Sequence, residues 1–337
     1  LYLKDTHSKG EYKIGISKKI LRKYPLGQKF LVNLYTTRYD EYYDAEIDTV
    51  LGKVSKMEEI AISYGFNPTY SKETYEELKN IPTKVSDEEI IGRLDLRDKN
   101  IVTIDCDTAK DLDDAILVEK SENVPYTLYV NIAHVSHYVK YGTAIFADAF
   151  ERGTSAYIAY YVSAMLGKEL SNGICSLNEG VDRLTRTVIM EYDEKGNQKS
   201  DRIVKAVINS KKKMSYSNVN KILEENIIPK GYEPFVNDLK NAYELALKIN
   251  KINISQGKLE FDSSEQERIY DEKENITDIK VLKTGASQLM IETFMVQANC
   301  AIARHFYYNN LPFIYRNHNI PDVERFVNSV KFIKFKK

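Results

Sequence analysis

Five carboxylates fall within ten residues, Asp105-Cys-Asp107-Thr-Ala-Lys-Asp111-Leu-Asp113-Asp114, and apolar runs bound them on both sides. Ile101-Val102-Thr103-Ile104 precedes the acids and Ala115-Ile-Leu-Val118 follows them. Neighbouring carboxylates repel and raise each other's pKa. A fold that gathers them at the end of a buried strand needs a compensating positive charge. A hard divalent cation such as Mg²⁺ supplies it, because it takes oxygen ligands and keeps waters and substrate phosphates in its shell. The run points to metal-assisted phosphate chemistry.

Other readings fit less well. Solvated acidic loops are common, but they rarely sit between two apolar runs. A calcium-binding helix–loop–helix needs Gly at its sixth position and Glu at its twelfth. Counted from Asp105, those places hold Lys110 and Ile116. A phosphatase of the haloacid-dehalogenase type opens on a strand and an Asp-x-Asp-x-Thr-like turn, which Asp105-Cys-Asp107-Thr108 half matches. Thr-Ala-Lys then stands where Gly-Thr is expected, far from the start of the chain.

Composition sets few limits. The 337 residues suffice for two or three domains, with 43% hydrophobic and 29% charged residues. No apolar run reaches the length of a membrane span and no signal peptide opens the sequence. Cys106, Cys175 and Cys300 are too few and too scattered for a disulfide framework or a zinc site, so a reducing cytoplasm is expected. With 48 basic against 49 acidic residues there is no global basic field, although a local basic channel is compatible with a neutral total.

Three regions are expected. Residues 1–54 read as β, from the partly alternating runs Phe30-Leu-Val-Asn-Leu-Tyr35 and Ala45-Glu-Ile-Asp-Thr-Val50. Residues 55–99 read as a helical linker, with capping-box patterns at Ser55-Lys-Met-Glu58 and Ser86-Asp-Glu-Glu89. Residues 100–337 read as mixed α and β. Strands are predicted at Val102–Ile104, Ala115–Glu119, Thr127–Ile132 and Thr187–Tyr192, and helices at Asn237–Ile249 and Ser287–Tyr308. Lys211-Lys-Lys213 reads as a solvated face.

The sequence resembles the ribonuclease II/ribonuclease R (RNB-type) exoribonucleases. Thr103 to Ala115 matches that family's acidic signature, with Thr108 and Leu112 as departures. Val135-Ser-His-Tyr138, Phe150-Glu-Arg-Gly-Thr-Ser155, Leu170-Ser-Asn-Gly-Ile-Cys-Ser-Leu-Asn178, Val181-Asp-Arg-Leu184, Leu259-Glu-Phe-Asp262, Phe294-Met295 and Tyr315-Arg316 follow in order. The resemblance implies an α+β catalytic domain preceded by a partial cold-shock-like OB barrel. It also implies processive 3′→5′ hydrolysis of single-stranded RNA to nucleoside 5′-monophosphates with Mg²⁺. Asp105, Asp111, Asp113 and Asp114 fall on the four acidic positions of the metal site. Tyr157 matches an aromatic near the RNA 3′ end, and Phe261 one on which terminal bases stack. Glu292 matches a carboxylate near the last nucleotide. His137 and His318 read as structural hydrogen-bonders. No small-molecule cofactor beyond the metal and no membrane association are expected.

Several positions depart from the family pattern. His134 stands where an Asp is usual, and Ala159, Ala164 and Gly167 replace prolines. A later His-x-Thr-Ser-Pro-x-Arg-Arg-Tyr segment, which supplies an arginine to the scissile phosphate, is not in the sequence. The expectation is a piece of a longer protein whose missing C-terminal part packs on the helix Ser287–Tyr308.

Overall fold

Alternation within the apolar runs sorts their side chains onto two faces of one sheet, and each face carries its own core. The computed structural model describes residues 2–4, 11–15, 22–24, 28–36, 43–159, 161–258, 265–271, 276–282, 284–317 and 322–328. Near the start, β1 (Tyr2–Lys4), β2 (Glu11–Gly15), β3 (Lys29–Thr36) and β4 (Tyr43–Gly52) form a sheet in the order β1-β2-β4-β3, with β2 and β4 parallel.

Three short helices follow, α1 (Lys56–Ser63), α2 (Lys72–Leu78) and α3 (Asp87–Ile90). Both expected capping patterns hold the helix starts. Ser55 N–H donates to Glu58 Oε2 at 2.7 Å while Glu58 N–H donates to Ser55 Oγ, and Ser86 N–H donates to Glu89 Oε2 at 2.8 Å.

The central sheet has seven strands. They are β5 (Leu94–Asp95), β6 (Val102–Asp105), β7 (Asp114–Glu119), β8 (Tyr126–Ala133), β11 (Asp182–Tyr192), β12 (Gln198–Asn209) and β13 (Lys212–Ser215). A separate hairpin pairs β9 (Ala156–Ile158) with β10 (Tyr161–Ser163). The order in the large sheet is β13-β6-β7-β8-β11-β12-β5. Its inner pairings are antiparallel, and the outermost strand at each edge pairs parallel.

Ile116 and Val118 point to one face, where they join Val102, Ile104, Leu128, Val130, Val188 and Met190. That face is covered by α6 (Tyr216–Glu224), α7 (Val236–Ser255) and α8 (Ala286–Tyr308), through Val219, Leu239, Leu245, Ile249, Met290 and Phe294. Ala115 and Leu117 point the other way, onto Leu78, Leu96, Ile145, Leu170, Ile174 and Ile208. Ile145 comes from α5 (Ala144–Arg152), which follows the short α4 (Val135–Tyr138). Burial on both faces is why the β7 run carries no polar alternation. In α8 the first half is core, whereas Val296 and, near the end, Tyr307 and Tyr308 are exposed.

Register places one row of side chains across the sheet. Asp114 lies opposite Ile132, Ile132 opposite Arg186, and Arg186 opposite Lys205.

The loop that backs the acidic turn is tied to β11 by one buried side chain. Arg183 Nε donates to Ser176 O at 2.8 Å, Nη1 to Asp182 O at 2.9 Å and Nη2 to Gly173 O at 3.1 Å. Hydrogen bonds from a charged donor contribute about 1.5–3 kcal/mol each, and losing them orphans buried acceptors. Arg183→Met is therefore expected to lower the unfolding free energy by about 3 kcal/mol in urea titration. A loss under roughly 1 kcal/mol would mean that the loop is held by other contacts.

Candidate active site

The acidic turn connects β6 to β7, so the sheet itself brings the carboxylates together. Asp105 ends β6, Asp114 starts β7, and Asp111 and Asp113 lie on the connection. Two residues of the segment 169–178 shape that connection. Ser176 Oγ accepts the Leu112 N–H at 3.1 Å and donates to Lys110 O at 2.8 Å, and Leu177 N–H donates to Leu112 O. Leu112 is fully buried and anchors the turn, leaving the flanking aspartates free to face outward.

The charges sense one another. Asp105 is pushed up to about 7, first by burial and then by Asp114, Asp111 and Asp113. Asp114 is pushed up to about 6 by burial and then by Asp113. Asp113, although exposed on one side, is raised by desolvation and then by Asp111. Asp105 Oδ2 is buried and has no hydrogen-bond partner among the described residues. Tyr157 donates its phenol proton to Asp111 Oδ2 at 2.6 Å, and this bond is the main cause raising the phenol to about 12. The Tyr157 ring is 65% exposed, which leaves its face open to a ligand.

An all-oxygen donor set, an orphaned buried carboxylate oxygen and mutual repulsion fit a hard divalent cation in chemistry. Spacing is a separate matter. Among the described residues, no three His, Cys, Asp or Glu side chains stand in an arrangement that could hold an ion as they are. Repulsion between uncompensated carboxylates acts to spread them, and a cation reverses its sign.

The lysine run is not the solvated face expected of it. Lys211 Nζ donates to Arg97 O at 2.6 Å, Lys212 approaches Glu179 at 3.9 Å, and Lys213 Nζ donates to Ala109 O within the acidic turn. Lys213 is also the group whose charge pulls the Asp105 pKa back down. It reaches the site because β13 pairs parallel with β6, with Ser215 opposite Asp105. Sequence reading missed it because the residue types in a basic run say nothing about strand pairing.

Other residues singled out in the sequence lie further out. Asp107 accepts from the Ser217 hydroxyl at 3.3 Å, outside the carboxylate group. Glu292, on α8, meets Lys258 Nζ at 3.3 Å, and among the described residues no hydrogen bond joins it to the acidic turn. His137 Nε2 lies 2.8 Å from Glu89 Oε1, which agrees with a structural role. Phe261 and His318 fall outside the described residues.

Residues 93–337 match the family model of the RNB domain. The chain belongs to the RNB family. Its RNB domain is similar to that of ribonuclease R from Thermotoga maritima, at 46% identity over 256 residues, 76% of this chain and 36% of the relative. Ribonuclease R from Aquifex aeolicus is 31% identical over 340 residues, 99% of the chain and 48% of the relative. Among solved structures, Mycoplasma genitalium RNase R in complex with double-stranded RNA superposes with a TM-score of 0.84 at 26% identity, covering 96% of this chain and 58% of that one. The same protein has also been solved with ribose-methylated single-stranded RNA. The chain thus spans between a third and about half the length of these curated relatives. None of its helices, among the described residues, is long and apolar enough to cross a membrane.

Proposed function

We propose that this chain carries the catalytic part of a 3′→5′ exoribonuclease that hydrolyses single-stranded RNA to nucleoside 5′-monophosphates with Mg²⁺. The observation that carries the reading is the RNB acidic turn itself. Four aspartates lie at the end of β6, on the connection and at the start of β7, with Asp105 and Asp114 held well above ordinary carboxylate pKa values. Asp105, Asp111, Asp113 and Asp114 would hold the metal. When bound, a pair of divalent ions supplies the charge that lets water attack the terminal phosphodiester and the 3′-oxygen depart.

The chain's own side chains do the rest. Tyr157 fixes the orientation of Asp111 through its 2.6 Å hydrogen bond and offers an exposed ring to the terminal nucleotide. Phe261 is assigned to base stacking, which contributes about 1–3 kcal/mol per base and tolerates any sequence, and Tyr157 to packing near the RNA 3′ end. Glu292 is assigned to the last ribose or base, in exchange for its present contact with Lys258. The N-terminal sheet β1-β2-β4-β3, with four strands among the described residues, supports a cold-shock-like single-strand binding module at residues 1–54. Residues 55–99 then form the linker and 100–337 the catalytic domain. The three scattered cysteines, none in a disulfide, favour the cytoplasm.

A 5′-labelled single-stranded RNA incubated with Mg²⁺ tests this. A ladder shortening from the 3′ end is expected, and internal cuts or shortening from the 5′ end would sink the reading. A second reading, a catalytically weak RNA-binding piece, draws support from carboxylates that are not converged on a single point. Tight oligo-adenylate binding with no released monophosphate at any Mg²⁺ concentration would favour it.

A further inference from the structure

A second charged cluster, opposite in sign, lies on the same face of the sheet as Asp114. Arg186 sits two strands away from Asp114 in the cross-sheet row, about 10 Å along the hydrogen-bonding direction. Lys205 lies one strand further out. Pairing of Leu94 with Ala206 brings the preceding Arg93 in beside Lys205. Arg186 and Lys205 are exposed and Arg93 is half-buried.

Buried His134 stands at the centre of these cations. Arg93 Nη1 lies 3.1 Å from its Nδ1, and Arg186 Nε lies 3.3 Å from its Nε2. A neutral imidazole accepts through one nitrogen only, so one guanidinium N–H is aimed at a ring N–H. Protonation would leave no acceptor on the ring at all, and burial and then Arg186 and Arg93 push His134 down to about 4. Glu89, whose charge acts on Arg93, is committed elsewhere by its side chain. Glu89 is bonded to His137 Nε2 and to the Ser86 N–H. Among the described residues no carboxylate forms an ion pair with Arg93, Arg186 or Lys205. Arg93 has its whole fork engaged, Nε on Glu89 O at 2.7 Å, Nη1 at His134 and Nη2 at His137 Nδ1, whereas exposed Arg186 and Lys205 carry charge that calls for an anion, just as the aspartates call for a cation. Guanidinium forks match phosphate oxygens in geometry as well as charge.

We propose that Arg186 and Lys205, set beside Arg93 and His134, form a phosphate-binding subsite that takes a backbone phosphodiester of RNA whose 3′ end lies at the acidic turn. This rests on the exoribonuclease reading above. His134 is what keeps the subsite open, because a carboxylate in its place would satisfy both guanidiniums internally.

Binding of a labelled oligo-adenylate to the whole chain in EDTA, across a salt series, tests the proposal. Arg186→Ala and Lys205→Ala are each expected to reduce the slope of log affinity against log salt by about 0.7, and to weaken binding roughly fivefold at 0.1 M salt. His134→Asp is expected to weaken binding at least as much while raising Tm. If His134→Asp does not fold, the two alanine variants at exposed positions still decide. Unchanged slopes and affinities in those variants, with normal wild-type binding, would overturn the subsite and leave the exoribonuclease reading standing. Failure of the wild type to bind RNA at all would overturn both. Inorganic phosphate is the control: if it raises the wild-type Tm while RNA binding ignores every substitution, the site takes free phosphate and the RNA subsite is refuted.

Discussion

Asp113→Asn is expected to slow RNA hydrolysis by at least about 10²–10³-fold, the loss typical of removing a key electrostatic group from an active site, while RNA binding changes little. The amide keeps the shape of the carboxylate and removes its charge. The backbone around it is fixed independently, by Leu112 in the core and by the Ser176 and Leu177 hydrogen bonds to Leu112. Loss of rate therefore reports on charge and not on misfolding. Single-turnover product release together with an RNA-binding isotherm separates the two. Full activity in this variant would remove Asp113 from the site.

The second large effect is on stability. Without a cation, Asp105 and Asp114 have folded pKa values of about 7 and 6, both above the ordinary 3.8 of an unfolded aspartate. Between about pH 4 and 7 the folded state then holds protons that the unfolded state has released. Stability from these groups is full below that window and is lost as pH rises through it, by an amount on the order of a few kcal/mol. In EDTA, Tm should fall from pH 5 to pH 8. Added Mg²⁺ should restore it at pH 8 and do little at pH 5, where protons already neutralise the site. Asp105→Asn should flatten both trends. A Tm that rises with pH in EDTA, or a Mg²⁺ effect equal at both pH values, would show that repulsion among these aspartates does not limit stability.

The features most legible in the sequence were those encoded by neighbours along the chain. The apolar runs around residues 101–104 and 115–118 gave strands, the Ser55 and Ser86 patterns gave capped helices, and the 3.6-residue period gave α7 and α8. β12 was not legible, because residues 199–202 are all exposed and carry no apolar alternation. Its pairing with β11 comes from a turn in which Asp193 Oδ1 accepts the N–H groups of Lys195 and Asn197, while Gly196 adopts φ +86°. At the site, the run of five aspartates stood out by composition, and the family resemblance picked Asp105, Asp111, Asp113 and Asp114 from it. Lys213 did not, since its contact with Ala109 spans 104 residues. Nor did the meeting of His134 with Arg93 and Arg186, 41 and 52 residues away, which only strand register brings about. A basic run, or an isolated Arg on a strand, looks the same in sequence whether it faces water or another charge.

The parallel pairing of β13 with β6 also sets an order of events during synthesis. Until residues 212–215 have been made, β6 is an open edge, and the acidic turn lacks the Lys213 tether and the Ser217 hydrogen bond. Closure over so long a stretch of chain is slow compared with forming the β7–β8 and β11–β12 hairpins. The acidic turn is thus among the last parts of the sheet to be locked in place. A ribosome-bound chain carries its aspartates in an incomplete setting until most of the sheet has been translated, so any activity that depends on them arrives late.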